Sequence, residues 1–350
     1  MFKFIDPQEN APGRQPARKD VTVEQLVSWL GCPGITDSVT EDALKVSGSG
    51  EDVVSLQDEA RAERLAADPE FHRWLTSKES GHLLVQGNYD QASQISGLSI
   101  FSSALRRALW GEAPRCIPLL FFCAQSGPPR SIAAICLEEL ETVGHTMVRS
   151  LIYQLVHRLG DHHTIAIDCY DIVGIKAGSI TCLCNLLSHI LSSMPSNTAV
   201  WCLIDGVEFY EQKRPWFDVK LVLEKLARFA NPADNTRGGA SVRMLLTTPT
   251  SMARAPQLFA NPQVVSLAAM AGEQRDPDRW ALRRILDEEV EKAHGYWKPQ
   301  KPRADLDDFE ACLRGWRYLM SFQMPVTWPG ERDARDLPVS RYVGQAGYEF

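Results

Sequence analysis

The chain has 350 residues with a formal charge of −7, and its 44% apolar and 23% charged content excludes wholesale disorder, a coiled coil or a collagen-like chain. An acidic balance with no long Lys/Arg run disfavours nucleic acid as a partner. No apolar stretch approaches the ~18 residues of a membrane span, and Met1-Phe2-Lys3-Phe4-Ile5-Asp6-Pro7 lacks a secretory core, so a cytoplasmic or nuclear protein is expected.

Four regions are expected in chain order: 1–54, a flexible arm and a short helix; 55–270, an α/β core; 271–324, a helical extension; and 325–350, a tail. Met1 to Asp20 has no apolar period and reads as a flexible or partner-ordered arm. Thr22 and Gln25 then form a capping box, Val23, Leu26, Val27 and Leu30 give one apolar stripe, and Gly31 and Pro33 stop the helix. Ser47-Gly48-Ser49-Gly50 marks a boundary. A charged helix follows from Ser55 to Ala67, and Asp68 with Pro69 starts another whose inner face is Phe71, Trp74 and Leu75.

From there apolar runs of strand length alternate with helical periods, the pattern of a parallel sheet covered on both faces. Five strands are expected, at His82 to Gln86, Pro118 to Ala124, Ala199 to Ile204, Val242 to Thr247 and Gln263 to Leu267. Helices fall at Ile95 to Trp110, Thr142 to Leu159, Ser179 to Ser193 and Phe217 to Ala230, with another possible at Ile132 to Glu141. Asp278 to His294 and Leu306 to Phe322 read as the helical extension. The tail from Pro325 carries isolated aromatics. Trp328, Tyr342, Tyr348 and Phe350 there, with Phe2, Phe4 and Ile5 in the arm, suit docking on a protein partner.

The first strand runs into Gly87-Asn88-Tyr89-Asp90-Gln91-Ala92-Ser93-Gln94. A phosphate-binding loop of the form G-x-x-x-x-G-K-[ST] cradles phosphates on backbone N–H groups, contacts them with Lys and holds Mg²⁺ with the hydroxyl. Against that frame Ala92 replaces Gly, Ser93 replaces Lys and Gln94 replaces Ser or Thr, and no Lys occurs between Glu79 and Glu112. Ala199-Val200-Trp201-Cys202-Leu203-Ile204-Asp205-Gly206-Val207-Glu208 keeps a better form: an apolar strand ending in an acid that in a working site orders the Mg²⁺ shell, with Glu208 as a following acid. The alternative reading is that Asp205 ends the strand and Gly206 makes a turn.

The order of these segments resembles the NACHT-type branch of STAND NTPases, particularly nephrocystin-like NACHT domains common in fungal proteins, over about Glu70 to Lys292. Phe71-His72-Arg73-Trp74-Leu75, Leu120-Phe121-Phe122, Met147 to Leu155, Leu203 to Glu208 and Val242 to Pro249 carry the likeness. The resemblance implies a P-loop NTPase-like fold and a degenerate nucleotide site at Gly87, Ser93, Gln94, Asp205 and Glu208. It also implies losses, since Phe209 stands where the family places a further acid and Pro249 where it places a sensor Arg. The expectation is therefore a pseudo-NTPase scaffold or regulatory subunit without cofactor, catalytic residue or metal; the alternative is a slow or non-hydrolysing switch that binds ATP or GTP with Mg²⁺.

Other chemistry finds less support. Asp161-His162-His163 follows a helix rather than a strand and has no further Asp/His cluster at metal-binding spacing, so it reads as a solvated loop. Cys182 and Cys184 lack the second pair or His of a zinc set, and the nine cysteines sit mostly in apolar runs, as buried free thiols do. Ser126-Gly127 lacks the G-x-S-x-G frame of a nucleophile elbow. Trp201 and Trp216 suit a core better than a base-stacking platform.

Overall fold

A computed structural model describes residues 18–31, 43, 46, 54–88, 95–112, 116–124, 143–159, 164–211, 216–231, 239–270 and 281–297. All of these fall in one compact unit, Met1–Lys298; the second unit, Pro299–Phe350, contains none of them. The arm up to residue 17, the Ser47–Gly50 linker, the helix expected at Ile132 to Glu141, the Asp161-His162-His163 loop, the helix expected at Leu306 to Phe322 and the tail lie outside the described residues.

The chain opens with β1 (Arg18–Thr22), α1 (Val23–Leu30), α2 (Leu56–Ala66), α3 (Pro69–Thr76), β2 (Gly81–Gln86) and α4 (Gly97–Gly111). It continues through β3 (Cys116–Phe122), α5 (Val143–Leu159), β4 (Thr164–Asp168), α6 (Cys169–Lys176), α7 (Ile180–Ser193) and β5 (Ala199–Asp205). The remainder is α8 (Glu208–Glu211), α9 (Trp216–Ala230), β6 (Ser241–Thr248), β7 (Val264–Ser266) and α10 (Ala281–Trp297). Local chemistry explains the helix starts. Thr22 Oγ1 accepts from Gln25 N at 3.2 Å while Gln25 Oε1 accepts from Thr22 N at 3.3 Å, and Asp68 Oδ1 accepts from Glu70 N at 2.8 Å just before Pro69.

Five strands form one parallel sheet in the order β3-β5-β6-β2-β7, giving the expected α/β architecture of P-loop type. Alternation along each strand then divides the core. Ile117, Leu119 and Phe121 of β3, with Val200, Cys202 and Ile204 of β5, pack beneath α5, α7 and α9. Leu120 and Phe122, with Trp201 and Leu203, pack on the opposite face against α2, α3, α4 and α10. Trp201 is fully buried and meets the Trp74 ring edge-on at 5.0 Å. Burying such side chains contributes about 1.5–3 kcal/mol each, so this double-sided coverage is the main stabilising term.

The outer side of β3 is closed by a side chain. Leu120 N donates to Gln154 Oε1 and Gln154 Nε2 donates to Leu120 O, both at 2.9 Å. Gln154 on α5 thus takes the hydrogen-bonding place of a neighbouring strand and blunts the edge.

One feature differs from the sequence reading. Arg18–Asp20, within the expected arm, belong to β1, which pairs antiparallel with β4 from Arg18↔Asp168 to Thr22↔Thr164. The reason is tertiary: β1 is polar and buries only Val21, and it is its partner strand that supplies Ile165 and Ile167 to the core. The helix expected at Asp278 to His294 is α10, and its Leu282, Leu286, Val290 and Ala293 are buried in the same core as α2 to α4. No helix among the described residues is long and apolar enough to cross a membrane.

Candidate functional site

In an open parallel sheet, ligands bind beyond the carboxyl ends of the strands where neighbouring connections leave to opposite faces. Here β2 is followed by α4 on one face, while its neighbour β6 leads to Ala255 and Phe259, buried on the other. The chain ends of β2, β6 and β5 meet at this edge. Gly87 N donates to Thr248 O and Gly206 N to Thr247 O, each at 2.8 Å, so β6 ties the Gly87 turn to the Asp205 turn.

Asp205 lies at the centre and is 2% exposed. Thr247 Oγ1 donates to its Oδ1 at 2.5 Å, and Ser99 Oγ donates to its Oδ2 at 2.7 Å. Burial pushes the Asp205 carboxyl up from its ordinary value, while the Thr247 and Ser99 hydrogen bonds pull it down. Ser99 comes from the first turn of α4, whose start is self-capped: Ser96 Oγ accepts from Ser99 N at 3.2 Å, and Ser99 Oγ accepts from Ser96 N at 3.1 Å. The anion-attracting end of this helix already has its own acceptor.

Two packing contacts fix this helix start. A Cβ at Gly97 would stand 2.4 Å from the backbone oxygen of Asp58, so only glycine fits where α2 presses on α4. Next in sequence, Leu98 is fully buried in the apolar core that also holds Phe71, Phe101 and Leu83.

Past the strand, Gly206 turns the chain with φ +76, in the left-handed region that glycine adopts without strain. The turn delivers Glu208, whose two carboxylate oxygens are buried without a hydrogen bond of normal geometry. Burial pushes Glu208 up to about 7, the Thr248 hydroxyl beside it pulls the other way, and the Asp205 and Glu211 charges add to the rise. Glu211 has the opposite environment. It accepts from the backbone N–H groups of Ala253, Arg254 and Ala255 at 2.6, 3.0 and 2.6 Å, and so anchors the turn after β6. Tyr210 donates to Cys123 O at 2.6 Å and ties the same helical turn to the end of β3.

Of the residues singled out from sequence, Gly87, Asp205 and Glu208 lie at this one edge, whereas Ser93 and Gln94 lie outside the described residues. Asn88 takes φ +51 and donates to Ser266 Oγ at 2.9 Å, which fixes the opening of the loop to β7. Ser99 and Thr247, the two partners of Asp205, belong to neither motif read from the sequence. Ser96-Gly97-Leu98-Ser99 carried the available signal, because Ser three positions before Ser at the start of an apolar helical run is a capping pattern.

The family model described as nephrocystin 3, N-terminal, matches residues 61–248, more than half of the chain. No curated protein and no solved structure matches the chain.

Proposed function

Because the chain belongs to the nephrocystin 3 N-terminal family, we propose that it is a protein-interaction scaffold or regulatory subunit whose nucleotide-like site is a closed structural cluster. The observation that carries this reading is the engagement of both Asp205 oxygens by Ser99 and Thr247 within the protein. Charge-assisted hydrogen bonds contribute about 1.5–3 kcal/mol each, and with Asp205 only 2% exposed a metal ion must reach the carboxylate in a dry site and compete with both hydroxyls for it.

The residues around Asp205 fit a Mg²⁺-nucleotide poorly. Leu98, between Gly97 and Ser99, is apolar and buried at the helix-start position where a phosphate-binding loop presents its Lys. Ser96 supplies an acceptor to the helix end that a phosphate needs. No catalytic step through a nucleotide is therefore assigned to the chain.

A second reading, a slow or non-hydrolysing switch that binds ATP or GTP with Mg²⁺, draws on Glu208, a buried carboxylate near Asp205 whose oxygens make no hydrogen bond of normal geometry. Calorimetric titration with Mg²⁺-ATP and Mg²⁺-GTP separates the two. The scaffold reading expects no saturable heat; submicromolar binding that Asp205→Ala abolishes overturns it in favour of the switch. Docking through the arm and the tail remains part of the proposal, and a partner complex weakened by deleting 1–20 or 338–350 supports it.

A further inference from the structure

The C-terminal end of α4 carries an arrangement that the nucleotide-like site does not use. Arg106 and Trp110 stand one turn apart on α4, and Arg158 in the last turn of α5 meets the same indole. The guanidinium carbons lie 5.2 Å (Arg106) and 3.0 Å (Arg158) from the Trp110 ring centroid. Since α4 and α5 cover opposite faces of the sheet, this contact joins the two layers beside the edge strand β3.

Both cations are poorly compensated. Nε of Arg106 and Nε and Nη2 of Arg158 are buried with no hydrogen-bond acceptor, and neither side chain pairs with a carboxylate among the described residues. Burial, then the charge of Arg106, pulls Arg158 down to about 10, and burial lowers Arg106 as well. The negative ends of the two helices lessen the cost of this pairing, but that effect is small beside the desolvation of two adjacent guanidinium groups. The ring helps through its π face. It is itself 42% exposed, an unusual position for a side chain of this size.

We propose that the Arg106–Trp110–Arg158 corner docks an acidic segment of a partner protein, with carboxylates meeting the guanidinium groups and an apolar side chain covering Trp110. Charge complementarity supplies the first half of this pairing. A free phosphate answers the charge but leaves the indole exposed, and a nucleic acid needs a track of cations where this corner offers one point. Tryptophan and arginine together are also the side chains on which protein interfaces most often depend. The inference rests on the interaction reading above and names its partner class. Its test involves neither Asp205 nor a nucleotide, so its failure is distinguishable from failure of that reading.

The full chain is titrated with a short fluorescein-labelled peptide of alternating Glu and Phe, with the same peptide carrying Gln for Glu, and with inorganic phosphate. The Glu peptide is expected to bind and the Gln peptide to bind at least about tenfold more weakly; Arg106→Gln combined with Arg158→Gln should cost a similar factor. Trp110→Ala, a change at a partly exposed position, should weaken the Glu peptide as well. Removing an uncompensated charge should also raise the melting temperature of Arg158→Gln by about 2 °C, whereas an arginine with a structural partner lowers it when replaced. Equal binding of the two peptides, unchanged binding by the variants, no binding at millimolar peptide or a lower melting temperature for Arg158→Gln overturns the proposal. Full displacement of the Glu peptide by submillimolar phosphate overturns it too, in favour of a small-anion site.

Discussion

The two ends of helix α4 have opposite polar chemistry. At its start Ser96, Ser99, Asp205 and Thr247 bond to one another and the acid is sealed from solvent. At its other end two guanidinium groups lie against one indole without acceptors for their buried N–H groups. A polar group whose valences are met inside the fold contributes stability and has little left for a ligand, whereas an unmet charge costs stability and favours a partner. The crevice at the strand ends, where the architecture invites a ligand, and the place with unused binding capacity therefore need not coincide.

The contrast breaks most sharply at Leu98. Leu98→Lys puts a cation at the helix start, but in a fully buried position within the apolar core that also holds Phe71 and Phe101. A loss of about 4 kcal/mol in urea unfolding is expected, with no gain in Mg²⁺-ATP affinity. A stable Leu98→Lys protein that binds nucleotide contradicts the closed-cluster reading. Asp205→Ala comes next, because it leaves two hydroxyls at the core of the edge without their charged acceptor. It should cost about 3 kcal/mol, whereas an acid kept only for metal binding gives little or no loss when removed without metal.

Glu208 gives an effect that appears only as the pH rises. Its carboxyl lies at about 7 in the fold, above its ordinary value of 4.5, so the folded state holds the proton more tightly than the unfolded chain. This contribution is fully present below pH ~4.5 and is lost as the pH rises through ~7. Glu208→Gln removes the ionisation, and relative to wild type it should gain about 3 kcal/mol between pH 4 and pH 8. Urea unfolding curves at the two pH values check this; a gain that does not grow with pH shows that the carboxylate is not held dry.

Much of the architecture was legible because burial writes itself into composition. Leu83-Leu84-Val85, Leu119 to Phe122 and Val200 to Ile204 are continuous apolar runs, as strands covered on both faces must be. The Thr22 and Asp68 caps were legible because they satisfy backbone groups within three residues. The β1–β4 ribbon was not, since Arg18–Thr22 becomes a strand only beside Thr164–Asp168, far away in the chain. In the candidate site Asp205 was readable at the end of its strand. Its pairing with Ser99 was hidden, because the ungapped loop frame fixes attention on Gln94 while α4 begins at Gly97. Arg106 and Trp110 share a helix face at four-residue spacing, but Arg158 joins them only through packing around β3.

A closed Asp205 cluster leaves no nucleotide bound to the protein. Protein purified from its native cell without added nucleotide is denatured, and the released small molecules are separated by anion-exchange chromatography. With the Asp205 cluster closed, ATP, ADP, GTP and GDP should not exceed the background of an Asp205→Ala sample prepared in parallel. Stoichiometric nucleotide in the wild-type sample, absent from that variant, contradicts the claim.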